Sequence, residues 1–170
     1  LIEFGSKSEE SINIIKLLLK MDTKDEFIMP NWKIRNLYNK NRQSNVIRVF
    51  KNRQYGDFSE DSLDKFFNSE FTIEMNSDRM GYRLSGTKLE LKKSMEMISE
   101  TVSFGTVQVP SDGNPIILLA DRQTTGGYPK IAQIASVDLR KVAQLKPRDK
   151  IRFKKISLRD AENYIFKEKN

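Results

Sequence analysis

From residue 46 onward, hydrophobic and polar positions alternate in short runs that read as strands broken by turns. VIRVF (46–50), FTIEM (71–75), YRLSG (82–86), GTVQVP (105–110), KIAQIAS (130–136) and KIRFKKI (150–156) carry the spacing of half-buried strands. PIILLA (115–120) is apolar throughout, which predicts a strand buried on both faces. Turn residues punctuate the runs at SDRMG (77–81), SDGN (111–114) and KPRD (146–149), and polar residues around 98–103 lead into GTVQVP. Helical spacing occurs at SEDSLDKFF (59–67), capped by Ser59, at SVDLRKVAQL (136–145) and at SLRDAENYIF (157–166), begun by Ser157. SEESINIIKLLLK (8–20) reads either as a helix or as a short turn into a strand. Short strands at close spacing, no long helix between them and no G-x-G-x-x-G predict a mainly β protein with short helices. A barrel or strongly curved sheet satisfies that pattern.

Composition narrows the chemistry more than the fold. With 170 residues, one domain or two small lobes are possible, and 38% hydrophobic residues can fill a core. There is no cysteine and no histidine, which removes disulfides, thiolate nucleophiles, histidine general bases and most zinc sites. No metal site is expected. The cysteine count fits a reducing cytoplasm, the expected location. No apolar stretch has the length of a membrane helix, so no membrane is expected either.

The formal net charge of +7 is concentrated. Between Glu26 and Asp57 the chain holds Lys33, Arg35, Lys40, Arg42, Arg48, Lys51 and Arg53 with no acidic residue. A solvated surface or an acidic protein partner fits this stripe better than nucleic acid, because no RNA-binding motif accompanies it.

DRQTTGGY (121–128) packs an unusual density of hydrogen-bonding groups between two strand-like runs. Thr124 and Thr125 carry hydroxyls, and Gly126 and Gly127 let backbone approach a ligand and permit positive φ. Asp121 and Arg122 can pair, or Arg122 can clamp a carboxylate. Gln123 and Tyr128 supply further polar groups, and Lys130 positive charge. The plain alternative is a β-turn with the glycine pair at its tip. In SDRMGYRL (77–84), Arg79 and Arg83 can reach an anion, while Asp78 is at home holding a turn or pairing with an arginine. Gln108 is an amide in an otherwise apolar strand, facing either solvent or the loop. No P-loop, nucleophile elbow or biotin-acceptor motif is present.

The run from GTVQVPSDGNPIILLADRQTTGGYPKIA onward to IRF (151–153) resembles the C-terminal region of the family of C-type 5-oxoprolinase subunits. That family is also described as allophanate hydrolase subunit 2-like or biotin-dependent carboxyltransferase-like, and it includes the antagonist of a sporulation-kinase inhibitor. SDRMGYRLSG (77–86) is similar to its upstream motif. The match is close over 46–166 and thin over 1–45, where Gly5–Ser8 is similar to a family G-S-R-S-T segment and Glu9 stands in place of threonine. Arg148 stands where the later turn usually carries glycine.

The resemblance implies a single cyclophilin-like β-barrel domain over 1–170, equivalent to roughly the second half of a longer family member. It implies a hetero-oligomer with a homologous B-type subunit and a third subunit, opening 5-oxoproline to glutamate. ATP is used at the level of the complex, and this chain is expected to bind no cofactor itself. It places Asp121, Arg122, Gln123, Thr124, Thr125, Gly126, Gly127 and Tyr128 in a substrate pocket, with Gln108, Lys130, Asp78, Arg79 and Arg83 as further contributors. No residue is assigned as general base. The alternative that the family offers is a non-catalytic regulator that sequesters a histidine-kinase inhibitor resembling the B-type subunit.

Overall fold

A computed structural model describes residues 45–168. The 8–20 segment, the Gly5–Ser8 segment and the start of the basic stripe lie outside the described residues, and the expectation of a single domain over 1–170 reaches beyond them.

Seven strands close a barrel: β1 (Val46–Lys51), β2 (Phe71–Ile73), β3 (Gly81–Ser85), β5 (Thr106–Gln108), β6 (Ile116–Leu118), β8 (Lys130–Ile134) and β9 (Lys150–Lys155), in the order β1-β8-β5-β6-β3-β2-β9. β9 returns parallel to β1, pairing Ile47 with Phe153, and every other barrel contact is antiparallel. Closure leaves no exposed barrel edge. A separate two-stranded ribbon, β4 (Glu100–Thr101) with β7 (Thr125–Gly126), lies outside this ring. The expected mainly β barrel with short helices is therefore the architecture found.

Alternation sends Ile47, Val49, Phe71, Ile73, Leu84, Val107, Ile117, Ile151 and Phe153 into one core. Helix α1 (Glu60–Asn68) adds Leu63 and Phe66, and the Phe66 ring stacks on Phe153 at 4.4 Å. Its start is written in the sequence: the Ser59 hydroxyl accepts the Ser62 N–H at 3.1 Å, with Glu60 and Asp61 in the first turn. Helix α2 spans Ser136–Val142, and the chain then continues to Leu145 in i→i−3 turns before Pro147. Helix α3 spans Leu158–Glu168 and opens with a reciprocal cap, in which Ser157 Oγ accepts the Asp160 N–H and Asp160 Oδ2 accepts the Ser157 N–H.

Asp138 holds α2 to β1. Its buried carboxylate accepts the Arg48 N–H at 2.8 Å, Nε at 2.9 Å and Nη2 at 2.6 Å. Burial works against the charged form, but these bonds and Lys141 outweigh it and hold the carboxyl below its ordinary range.

Two expectations need correction. PIILLA is not buried on both faces: Ile117 and Leu119 are buried, whereas Ile116 and Leu118 are half-buried and face a cavity outside the barrel. Their apolar side chains form a wall for a pocket rather than a layer against a second sheet. FTIEM ends as a strand at Ile73, and Met75 is exposed.

Candidate functional site

Two distant parts of the chain meet on the outer face of β3, β6 and β5. The 77–80 turn leads into β3, and its shape is set by Asp78, whose Oδ1 accepts the N–H groups of Met80 (2.8 Å) and Gly81 (3.1 Å). Ser77 Oγ accepts the Arg83 N–H at 3.0 Å and closes the turn. The loop after β6 arrives beside it: the Leu119 N–H donates to the Met80 carbonyl and the Asp121 N–H to the Arg79 carbonyl. Arg79 and Asp121 then pair at 3.0 Å, both exposed, which makes the pair a brace worth about 1 kcal/mol at most.

DRQTTGGY is not a bare turn. Thr125 and Gly126 pair with Thr101 and Glu100 as β7 and β4, and the Val102 N–H donates to the Thr124 carbonyl at 3.0 Å. The ribbon is pinned to the barrel through Glu100. The buried Lys130 Nζ contacts the Glu100 carboxylate at 2.6 Å, Arg53 at 3.1 Å, and Gln54 Nε2 donates to it at 3.3 Å. The Lys130 hydrogen bond, with help from Gln54 and Arg53, holds the Glu100 carboxyl below its ordinary range.

Between the ribbon and the barrel lies a cavity of 430 Å3, within the span of roughly 300–1,000 Å3 usual for small-molecule sites. Ile116, Leu118 and Val102 form its apolar wall, and Gln108, Gln123, Thr125 and Tyr128 supply polar groups. Arg83 and Arg122 bring two guanidinium groups to it, and Asp78, Met80, Gly81, Gly126 and Gly127 complete the lining.

Gln108 owes its position to a β-bulge. Val107 pairs with Ala132 but Gln108 with Lys130, so Ile131 is the extra residue of β8 and the strand is re-aimed there. The Gln108 amide turns toward the loop rather than to solvent, is 4% exposed, and donates to the Tyr128 carbonyl at 3.2 Å. A Cβ at Gly126 would lie 2.6 Å from Gln108 Nε2, so a larger residue there has to push the Gln108 amide aside. Neither Gly126 nor Gly127 has positive φ, so close packing, not left-handed backbone, explains the glycine at 126.

Nine of the thirteen candidate residues share the cavity wall: Asp78, Arg83, Gln108, Arg122, Gln123, Thr125, Gly126, Gly127 and Tyr128. Asp121 and Arg79 brace its rim, Thr124 serves through its carbonyl, and Lys130 serves Glu100. Arg122 spends Nε and Nη1 on the carbonyls of Val102, Leu119 and Ala120, which fixes its plane at the wall. The guanidinium of Arg83 forms no hydrogen bond or ion pair with another described residue. Sequence reasoning missed Met80, Gly81, Val102, Ile116 and Leu118 as lining; Met80 and Gly81 lie within the 77–84 motif it singled out, Val102 carries no local signal, and Ile116 and Leu118 read as core.

A second cavity, of 640 Å3, shares Gly127 and Tyr128 with the first. Phe58, Leu89, Leu91, Val109, Met95 and Met97 line it together with the polar and charged Lys88, Glu90, Ser94, Ser111 and Asp112.

Residues 6–155 match the family described as carboxyltransferase domain, subdomain A and B. The chain is 48% identical over 116 residues to the C-type subunit of 5-oxoprolinase from Haemophilus influenzae and 41% identical over 117 residues to that of Escherichia coli. The alignments take in 68% and 69% of this chain and 38% of each relative, so the matched region is little more than a third of their length. Among solved structures, the K. lactis urea amidolyase superposes on 75% of this chain and 8% of its own, with TM-score 0.69 and 26% identity.

Proposed function

The chain belongs to the carboxyltransferase-domain family, subdomains A and B, and on that footing we propose that it is a subunit of an ATP-dependent 5-oxoprolinase, or a portion of one. It acts with a homologous B-type subunit and a third subunit, binds 5-oxoproline in the 430 Å3 cavity, and takes part in its opening to glutamate. Water adds to the ring carbonyl, the C–N bond breaks and the freed nitrogen takes a proton, while at the level of the complex ATP is cleaved by a second water to ADP and phosphate.

The observation that carries this reading is the convergence of the 77–83 and 121–128 segments on Gln108. A small lactam acid has one carboxylate, one amide carbonyl and one N–H. Arg83 and Arg122 suit the carboxylate, as planar donor groups do. The Thr125 hydroxyl and the Gln108 and Gln123 amides suit the ring amide. A donor aimed at the carbonyl oxygen stabilises the charge that develops there during opening. Lys130 and Thr124 hold the ribbon in this arrangement instead of touching substrate.

Isothermal titration with 5-oxoproline, with and without the B-type subunit, tests the reading. Binding that vanishes in Thr125→Ala is expected. Absence of ligand heat in every combination, together with no oxoproline-dependent ATP hydrolysis by the assembled subunits, rejects the enzymatic reading. Tight binding of the B-type subunit under those conditions then favours a regulator.

A further inference from the structure

Four residues from four strands close a circuit beside the 430 Å3 cavity. Lys130 of β8 holds the Glu100 carboxylate of β4 at 2.6 Å. Glu100 is the register partner of Gly126 in β7. Gly126 lies so close to the Gln108 amide of β5 that an added Cβ would meet Nε2 at 2.6 Å. Gln108 is in turn the register partner of Lys130 across the β-bulge. Gln108 and Gly126 line the cavity, whereas Glu100 and Lys130 stand outside its lining.

The ribbon made by β4 and β7 has two residues in each strand, too few to hold a place of its own. Its position is therefore set by what grips it, and the grip centres on Glu100. Besides Lys130, the carboxylate takes Gln54 Nε2 at 3.3 Å and pairs with Arg53 at 3.1 Å. The buried Gln54 also accepts the Lys130 N–H at 3.3 Å, which ties both holders of Glu100 together. Neighbouring side-chain ties are longer: Lys130 Nζ reaches the Thr101 carbonyl at 3.3 Å, and Arg122 Nε the Val102 carbonyl at 3.4 Å. A short, charge-assisted bond to a buried ammonium is the strongest of these contacts.

We infer that Glu100 is a positioning residue for the substrate cavity. Drawn onto Lys130, it carries β4 and β7 inward as one ribbon and presses Gly126 against Gln108. That pressure fixes where the Gln108 amide and the Thr125 hydroxyl stand. Glu100 acts through the strand pair, and its own carboxylate stays with the barrel. The inference rests on the proposed function only for the ligand, 5-oxoproline.

The test compares Glu100→Gln with the double variant Glu100→Gln/Lys130→Met. The single change keeps the shape, removes the charge and leaves a buried ammonium without its counter-ion; the double change removes that ammonium as well. The thermal midpoint is expected to fall in the single variant and to recover in the double. Affinity for 5-oxoproline, by isothermal titration, is expected to be about tenfold weaker in both, the fold-change for one or two misplaced polar contacts. A merely structural Glu100 would return affinity together with stability, and that result overturns the inference.

Two readouts need no ligand. Amides of 100–102 and 124–126 are expected to exchange about tenfold faster in the double variant than in the parent, with β1 and β9 unchanged. Gly126→Ala is expected to shift the urea midpoint less than half as far in the double variant as in the parent, because the ribbon no longer presses on Gln108. Unchanged ribbon exchange, or equal shifts in the two backgrounds, overturns the inference. A parent chain that binds no 5-oxoproline rejects the substrate instead, and these two readouts then decide the role of Glu100.

Discussion

Gly126→Ala isolates the contact on which the site depends. At ordinary φ, exchanging glycine for alanine stabilises a fold by roughly 0.4–1 kcal/mol, because alanine has less chain entropy to lose. Gly127 meets that condition, since the nearest atom to an added Cβ is Ser99 Oγ at 3.7 Å. Gly126 does not, because the same Cβ would sit 2.6 Å from Gln108 Nε2 and 3.2 Å from its Oε1. Relief requires the buried Gln108 amide to rotate, giving up its bond to the Tyr128 carbonyl. That bond is worth about 1 kcal/mol and an off-rotamer side chain costs about another 1 kcal/mol, in line with roughly 1–3 kcal/mol for overpacking.

Urea unfolding of Gly126→Ala is therefore expected to show a net loss of roughly 1–1.6 kcal/mol, the entropic gain offsetting part of the cost, while Gly127→Ala is neutral or slightly more stable. In a cycle with Gln108→Ala the obstacle is gone, so the double variant is expected to recover about 2 kcal/mol relative to additivity. Equal effects of alanine at 126 and 127, or strict additivity with Gln108→Ala, would refute the packing argument.

Acid stability reports the Asp138 anchor. Its folded pKa lies below the unfolded value of about 3.9, so its contribution is present above that pH and disappears as pH falls through the folded pKa. Asp138→Asn is expected to lower the thermal midpoint at neutral pH and to narrow its gap to the parent below about pH 4, followed by circular dichroism. A gap that stays constant across that range contradicts the assignment. The Lys146–Asp149 turn offers the opposite change. Arg148 sits at φ 74° in a turn closed by the Asp149 N–H on the Lys146 carbonyl, with Pro147 before it, the arrangement that favours glycine. Arg148→Gly relieves about 1–2 kcal/mol of left-handed strain and returns part of it as chain entropy, so a net gain of up to about 1 kcal/mol is expected in the urea midpoint. A loss of stability there rejects the strain argument.

Much of the barrel was legible because its signals are local. Alternation in 46–50, 105–110 and 150–156 marks strands whichever partner they find, and Ser59 and Ser157 cap their helices through bonds three residues away. The 121–128 loop announced its polarity, whereas Arg148 stood out only against the family pattern, in which that turn usually carries glycine. Other features have no local cause. β4 and β7 are two residues each and exist only because residues about 25 apart in sequence pair across the site. The direction of Gln108 follows from a bulge that places Ile131 out of register on the neighbouring strand. The role of Lys130 follows from Glu100, which no spacing rule connects to it. PIILLA shows the same division within one segment: its hydrophobicity marked a strand, but only the folded chain decided that Ile116 and Leu118 would wall a cavity. Sequence alone marked most of the barrel strands, the helix caps and the turns, since each of these depends on side chains within a few residues. Tertiary structure decided which polar groups meet, because that depends on closing a barrel between positions 46 and 155.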